Sequence, residues 1–253
     1  MLKKINDNNY SIDNIEFVTV LGDIHGNLKP IFNCIKKYEL RNCLIVQVGD
    51  FGYSFNLNIQ TKFDYIKTLK YLNTALKSKN NFLIAIRGNH DNPEYFDGSL
   101  QFSNLLLMPD YSTLEVLNQK WLFAGGAISI DRKLRIENKS WWANEGFIYD
   151  EDKFSKLEGP FNVIVTHTAL KDTINYSKAL RSDTVDDYAK KDMLLYQDLG
   201  KEQFALNKFF SYIRNKYGPA QNAYNGHFHF YSKEEYMRTL HITLDIDQLI
   251  EHK

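Results

Sequence analysis

Three short apolar runs, each stopping abruptly at glycine and polar residues, most constrain how this sequence can fold. They are Phe17–Leu21 before Gly22-Asp23, Cys43–Val48 before Gly49-Asp50, and Phe82–Ile86 before Arg87-Gly88-Asn89-His90. Continuous apolar strands of this kind are typical of sheets that are covered on both faces. The sequence therefore predicts buried strands rather than the alternating strands of a half-exposed sheet.

Helical patterns lie between these predicted strands. A helix is expected over Leu28–Tyr38, with Asn27 as its N-cap and Pro30 in the first turn. Apolar residues at steps of three and four predict a second helix between Ile59 and Leu76. Strand–helix–strand–helix–strand is the pattern of an α/β protein, whose sites lie at the carboxyl edge of a largely parallel sheet.

The second half of the sequence changes character and predicts a second, partly antiparallel sheet packed on the first. One late helix is predicted over Gln203–Tyr217, and a polar segment at 168–200 is long enough to be a lid or a helical excursion. We expect one domain over 1–253, because no repeat or low-complexity linker interrupts the chain. The expected strands are Thr113–Asn118, Trp121–Ile130, Phe161–Thr166, Gln221–Asn225, Phe230–Met237 and Thr239–Ile246.

Charge and composition exclude several classes of protein. The 31 Lys and Arg balance the 31 Asp and Glu, which argues against a broad cationic face for duplex DNA. No apolar run approaches the roughly 18 residues that span a bilayer, so we expect no membrane segment. The two cysteines, Cys34 and Cys43, form no paired motif and fit reduced thiols in a cytoplasmic protein. The oligomeric state is left open.

Five of the seven histidines stand at the ends of predicted strands, together with carboxylates and an amide. Such groups gathered at one sheet edge need something to offset their loss of solvation, and a divalent cation does this by coordinating them. Ligation by nitrogen and oxygen without thiolate points to a first-row ion such as Mn²⁺, Fe or Zn²⁺. The glycine before each polar block is expected to permit a sharp exit from its strand.

These polar blocks, in their order along the chain, resemble the calcineurin-like metallophosphoesterase superfamily. The blocks are GDIHGN from Gly22, GDFG from Gly49, RGNHD from Arg87, VTH from Val165 and GHFH from Gly226. The resemblance implies a four-layer α/β/β/α sandwich of two mixed sheets flanked by helices, with two metal ions at the carboxyl ends of the strands.

The resemblance also implies roles for individual residues. Asp50 would bridge the two metals, and His90 would bind no metal but donate a proton to the leaving group or contact the phosphate. Mn²⁺ is the preferred ion, with Fe, Zn²⁺, Ni²⁺ or Co²⁺ as alternatives. The first metal would be held by Asp23, His25, Asp50 and His229, and the second by Asp50, Asn89, His167 and His227.

The reaction implied is hydrolysis of a phosphoester by a hydroxide shared between two metals, which also neutralise the phosphoryl oxygens. We expect a small phosphoester or nucleotide substrate: a nucleotide, a cyclic nucleotide, or a nucleic-acid phosphodiester or end. The alternatives are a phosphomonoesterase, including a phosphoprotein phosphatase, and a non-catalytic scaffold. Tyr53 and Ser54 occupy the positions where Ser/Thr phosphatases carry an Asp and an Arg, which disfavours that branch.

A more individual segment, AGGAISIDRKLR from Ala124, supplies candidate substrate contacts. Arg132 or Arg135 could clamp a phosphate, since the guanidinium fork matches its oxygens. Trp141 and Trp142 could stack on a base, but we favour packing on the second sheet. Asn27 could touch substrate beside its expected capping role. Within 168–200, Tyr176, Arg181 and Tyr188 could line a substrate pocket, and a polar lid that merely shields the metals explains them equally well.

Overall fold

The part of the chain that the structure describes forms thirteen strands and five α-helices. This computed structural model describes residues 1–52, 62–174 and 182–252. The strands are Leu2–Asn6 (β1), Asn9–Ile12 (β2), Phe17–Leu21 (β3), Cys43–Gln47 (β4), Phe82–Ala85 (β5), Leu105–Leu107 (β6), Ser112–Val116 (β7), Gln119–Ala124 (β8), Val163–Thr166 (β9), Asn222–Asn225 (β10), Ser232–Tyr236 (β11), Thr239–Thr243 (β12) and Leu249–Glu251 (β13). The helices are Lys29–Lys36 (α1), Lys62–Lys77 (α2), Glu151–Ser155 (α3), Ser182–Ala189 (α4) and Leu195–Tyr217 (α5), with short 3₁₀ turns at Pro93–Phe96, Arg132–Leu134 and Lys171–Thr173.

The strands form two mixed sheets. A five-stranded sheet has the order β13-β3-β4-β5-β6, in which β3 to β6 run parallel and β13 is antiparallel to β3. An eight-stranded sheet has the order β1-β2-β7-β8-β9-β10-β12-β11. Its centre, β8-β9-β10-β12, is parallel, whereas β1-β2, β7-β8 and β11-β12 are antiparallel pairs.

Three apolar layers hold the sheets and helices together, and strand alternation decides which residue enters which layer. In β4, Leu44 and Val46 enter the core between the two sheets, where they meet Trp121 and Phe123 of β8. Cys43 and Ile45 lie on the opposite face of β4 and enter the core with α1 and α2. A third core packs α3 and α5 on the outer face of the large sheet. The predicted α/β sandwich, helices outside and two sheets inside, is confirmed.

Several boundaries differ from those predicted. The strand expected over Trp121–Ile130 ends at Ala124, because Gly125 turns away to donate its N–H to Asp110 Oδ1 (2.7 Å) and Gly126 takes a φ of +98°. The helix expected from Gln203 begins at Leu195. Asn27 is not the N-cap of α1; that position is Leu28, although Asn27 Oδ1 accepts the N–H of Lys29 (3.2 Å).

The segment 168–200 is largely helical where it is described, with α4 and the first turn of α5 following the 3₁₀ turn at Lys171–Thr173. Tyr188 lies half-buried in α4, whereas Tyr176 and Arg181 lie outside the described residues. No helix in 1–52, 62–174 or 182–252 is both long and apolar enough to cross a bilayer.

Candidate metal centre

The strand ends bring one compact group of ligand atoms together at the carboxyl edge of the small sheet. Asp23 follows β3, Asp50 follows β4, and His229 reaches them from the loop after β10. One ligand atom from each of Asp23, His25, Asp50 and His229 lies within 4.8 Å of all the others. Ligands bound at about 2.0–2.2 Å to one ion are separated by roughly 3–4.5 Å, so this group fits a single cation.

A second group of ligand atoms adjoins the first and shares Asp50. His167 Nε2 lies 3.3 Å from Asp50 Oδ1 and 3.2 Å from Asn89 Oδ1. His227 Nδ1 lies 2.9 Å from the same Asn89 oxygen. Asp50 Oδ2 meanwhile lies 3.2 Å from His25 Nε2. The two oxygens of Asp50 therefore face different ligand groups, which is the geometry of a bridging carboxylate.

Two details show that the site suits cations. Asp23 Oδ1 is buried and has no hydrogen-bond partner among the described residues, an arrangement that is costly unless a positive charge approaches. His167 Nδ1 lies 2.8 Å from the carbonyl oxygen of Val48, so Nδ1 carries a proton and Nε2 is turned towards the cluster. Burial opposes protonation of His167, but Asp50 and Asp23 outweigh it and raise its pKa to about 9. The field that attracts this proton would equally attract a divalent cation.

The backbone at these ligands is unusual. His25, Asp50, His227 and His229 all adopt left-handed conformations, with φ of 45°, 53°, 69° and 55°. Residues other than glycine seldom occupy this region, and such strain concentrates at functional sites. The surrounding structure thus holds these loops in backbone conformations that are unfavourable for residues other than glycine.

The glycines at the strand ends serve mainly to leave room for ligands. A Cβ on Gly88 would collide with the backbone and side chain of Asp50. Gly49 needs its left-handed φ of +105°, and a Cβ there would also strike the imidazole of His167, 2.6 Å from Cγ. The expected sharp turn at the end of β4 therefore explains only part of the need for glycine at position 49. The close approach of the His167 imidazole explains the rest.

Asp91 is a residue whose role the sequence did not indicate. Its buried carboxylate accepts the N–H of Phe51 (3.1 Å), Gly52 (2.7 Å) and Gly88 (2.8 Å). Burial and the neighbouring Asp50 raise its pKa, while these N–H groups oppose the shift. Asp91 thereby ties the loop after β4 to the loop after β5, which carry Asp50 and Asn89.

Arg87 anchors the loop 125–147 beside the metal ligands. It is 3% exposed, pairs with Asp110 Oδ2 (2.8 Å), and donates to the carbonyl oxygens of Glu145 (2.6 Å) and Gly146 (3.0 Å). Asp110 in turn accepts the N–H of Gly125. The loop that follows β8 is therefore fastened at both of its ends to the block that contains Asn89 and His90.

The two candidate arginines of this loop have different surroundings. Arg135 faces the centre: its NH1 lies 2.9 Å from His90 Nδ1 and 3.2 Å from Ser129 Oγ, and its NH2 lies 2.7 Å from Asp131 Oδ1. Arg132 instead pairs with Asp192 (2.5 Å) and Asp198 (2.8 Å). The structure thus places Arg135, and not Arg132, against His90, while Arg132 ties the loop to the helical segment.

Other predicted contacts lie elsewhere. The exposed side chain of Asn27 donates to Asp247 Oδ2 (3.0 Å), and both line a groove with Lys29, Pro30 and Tyr38. That groove contains none of the proposed metal ligands. Trp142 is 6% exposed and Trp141 is half-buried, and packing of the pair on the second sheet stays a prediction.

His90 lies between the proposed metal ligands and Arg135. Its backbone N–H donates to Asp50 Oδ1 (2.9 Å), and its Nε2 lies 3.7 Å from Asp50 Oδ2. Burial, reinforced by Arg135 and opposed by Asp50, lowers its pKa to about 4. The guanidinium of Arg135 contacts both ring nitrogens of His90, since its NH2 also lies 3.3 Å from His90 Nε2.

Two buried glutamates accept backbone hydrogen bonds from the loop 125–147: Glu145 from within the loop and Glu202 from α5. Glu145 is 2% exposed and accepts the N–H of Ser129 (2.7 Å) and of Trp142 (3.3 Å). Glu202 of α5 is 5% exposed and accepts the N–H of Phe147 (2.9 Å). Burial raises the pKa of each carboxyl to about 7, although the hydrogen bonds oppose it.

The raised pKa of Glu202 predicts a pH-dependent stability. The protonated form is favoured in the folded state, so this contribution is complete below pH 4.5 and is lost as the pH rises through about 7. Its size is on the order of 3 kcal/mol. We expect Glu202→Gln to flatten the fall in unfolding free energy between pH 5 and pH 8, measured by urea denaturation beside the wild type. Equal slopes for the two proteins would contradict this.

Comparison with known proteins agrees with the fold and the centre. The sequence profile of the calcineurin-like phosphoesterases matches residues 18–217, and the chain belongs to this family. No curated protein matches the sequence. The crystal structure of TT1561 from Thermus thermophilus is similar with a TM-score of 0.53 at 10% identity, covering 94% of this chain and 98% of that one. The phosphopantetheinyl hydrolase PptH of Mycobacterium tuberculosis has a TM-score of 0.48 at 12% identity, covering 96% and 92% of the two chains.

At 10% identity the TT1561 structure shows the shared fold alone. The family supports metal-dependent hydrolysis of phosphoesters, and the cluster of buried Asp and His side chains supports binding of divalent metal.

Proposed function

We propose that this protein hydrolyses phosphodiester or nucleotide substrates with two divalent metal ions, preferably Mn²⁺. The observation that carries the proposal is that Asp50 directs one oxygen at each of two adjoining ligand groups, with His90 and Arg135 beside them. A scaffold without catalysis would not need Arg135 aimed at this place. Nitrogen and oxygen ligands without thiolate favour Mn²⁺ or a similar first-row ion.

The ligand assignment follows the two groups. Asp23, His25, Asp50 and His229 would hold the first metal, and Asp50, Asn89, His167 and His227 the second. Such a pair of cations, when bound, acidifies a shared water and neutralises the charge on the phosphoryl oxygens. The Asn89 amide is oriented for this role because its Nδ2 donates to Ser129 Oγ (3.0 Å), which turns Oδ1 to the cluster.

His90 and Arg135 act on the substrate rather than on the metals. Arg135 binds non-bridging phosphoryl oxygens through its guanidinium, since Asp131 and Ser129 hold it facing the centre. His90 would contact the phosphate or, in its protonated form, donate a proton to the leaving-group oxygen. Arg132 has no part in this proposal, because both of its ion pairs are to the helical segment.

The runner-up is a phosphomonoesterase, including a phosphoprotein phosphatase. Tyr53 and Ser54, which replace the acid and the arginine of that branch, lie outside the described residues. Arg135 offers a phosphate contact from a different part of the chain, so the missing arginine does not by itself exclude monoesters.

The proposed substrate is small, and we infer a cytoplasmic location because Cys34 and Cys43 are buried free thiols.

A substrate panel tests the proposal directly. The full chain, freed of metal and resupplied with Mn²⁺, is assayed on p-nitrophenyl phosphate, bis-p-nitrophenyl phosphate, 2′,3′-cyclic and 3′,5′-cyclic nucleotides and short single strands. We expect Mn²⁺-dependent turnover with higher kcat/KM for the diesters. Preference for the monoester would favour the runner-up, and no turnover of any ester would favour the scaffold.

A further inference from the structure

Ser129 is the point where the loop after β8 touches both the ligand Asn89 and the clamp Arg135. Its Oγ accepts hydrogen bonds from Asn89 Nδ2 (3.0 Å) and from Arg135 NH1 (3.2 Å). A serine hydroxyl has two lone pairs and one proton. Both lone pairs of the Ser129 hydroxyl are thus engaged by donors.

Glu145 holds Ser129 through the backbone. Its carboxylate accepts the Ser129 N–H at 2.7 Å, and the Ser129 hydroxyl also stabilises its charged form. Its other oxygen accepts the N–H of Trp142 (3.3 Å). Ser129 is 1% exposed and Glu145 is 2% exposed, so water does not compete for these bonds. A single buried carboxylate thus holds the residue that orients two functional side chains.

We infer that Glu145 is a positioning residue that acts through Ser129 to orient the Asn89 amide oxygen towards the second metal and Arg135 towards the phosphate. Asn and Gln amides can present either oxygen or nitrogen, and only oxygen ligates a metal. Without a defined acceptor for Nδ2, the amide of Asn89 would lose this preference. The inference rests on the proposed function for the identity of the metal and the phosphate.

Glu202 provides a matched control. It is similarly buried, supports the same loop through the N–H of Phe147 and the backbone of Ile128, and has the same raised pKa, but none of its described contacts is to Ser129 itself. Glu145→Gln and Glu202→Gln therefore remove equivalent charges from the back of one loop. Only Glu145→Gln changes a residue that contacts Ser129, which in turn contacts Asn89.

The main measurement is binding of Mn²⁺ to the metal-free full chain, followed by calorimetry. For Glu145→Gln and for Ser129→Ala we expect the second Mn²⁺ to bind about 10- to 100-fold more weakly, the usual effect of losing an outer partner of a ligand. The first Mn²⁺ should bind as in the wild type. Glu202→Gln should leave both affinities unchanged.

Kinetics supply the second readout. We expect kcat/KM to fall in both variants, with the double variant Ser129→Ala/Glu145→Gln less impaired than the product of the single effects, because both changes break one path. Wild-type affinity for the second Mn²⁺ in Ser129→Ala would overturn the inference, even if Glu145→Gln failed to fold. Equal weakening in Glu202→Gln would overturn it too, since general loosening of the loop would then suffice.

These outcomes are separable from failure of the proposed function. If the wild type binds two Mn²⁺ ions but hydrolyses no ester, the function fails while the metal titrations still judge Glu145. If the wild type is active and the variants match it, the positioning role alone fails. A wild type that binds fewer than two Mn²⁺ ions would overturn both.

Discussion

Asp50→Asn is expected to remove bound metal and turnover together, the largest functional loss from any single change here. The substitution keeps the shape but deletes the charge shared by both ligand groups, and it replaces one oxygen with an NH₂ that cannot bind a cation. Since the oxygens face His25 (3.2 Å) and His167 (3.3 Å), one group loses its carboxylate whichever way the amide turns.

The expected size is large because metal ions supply several kcal/mol of transition-state stabilisation. We expect kcat to fall by at least about 10³-fold, equivalent to roughly 4 kcal/mol. Metal content after dialysis against Mn²⁺, measured by mass spectrometry, should fall from two ions per chain. Asp13→Asn is the matched control, since it makes the same change at a side chain that is 51% exposed, pairs with Lys3 and is not one of the proposed ligands. An Asp50→Asn protein that retained two ions and wild-type kcat would refute the bridging role.

Arg135→Ala is expected to give the second largest effect, on substrate and not on metal. A hydrogen bond to a charged group contributes about 1.5–3 kcal/mol, so kcat/KM for a diester should fall by roughly 10- to 150-fold. Metal content should be unchanged, because none of the proposed ligands is removed. Arg135→Lys keeps the charge but loses the fork, and should recover only part of the activity.

Arg132→Ala is the natural comparison for Arg135→Ala. It deletes the same side chain three positions away, but its partners are Asp192 and Asp198. We expect a smaller loss of kcat/KM, arising from looser attachment of the loop to the helical segment. If Arg132→Ala impaired kcat/KM more than Arg135→Ala did, the assignment of Arg135 as the phosphate contact would be wrong.

The buried parallel strands and the residues at their ends were predictable because both depend on local sequence. β3, β4 and β5 are continuous apolar runs, and parallel strands necessarily bring their carboxyl ends to one edge. The hairpin of β1 and β2 was not predicted, since its residues are largely polar and its strand character comes from pairing with β7. β6 and β13 are too short to show a pattern of their own.

Site residues divide in the same way. The proposed ligand blocks are contiguous and each follows a strand. Ser129 and Asp91 instead contact residues of other loops, and Glu145 contacts Ser129, sixteen positions earlier in its own loop. The acid directly after Asn89-His90 was a visible signal for Asp91, but its acceptor role depends on how close the loop after β4 comes. The sequence also could not separate Arg132 from Arg135, three residues apart in one loop.

By itself the sequence determined the strand cores and the order of the polar blocks, because each is encoded over a few neighbouring residues. The proposed ligand set follows from the resemblance of those blocks to the family. Only the tertiary structure decided that Asp50 turns its two oxygens to different ligand groups, that Arg135 faces His90, and that Glu145 supports Ser129. The physical reason is that these relations depend on distances between loops brought together by packing of two sheets. Hydrogen bonds and ion pairs act over a few ångströms, and no local pattern in the chain specifies which distant side chain will lie within that reach.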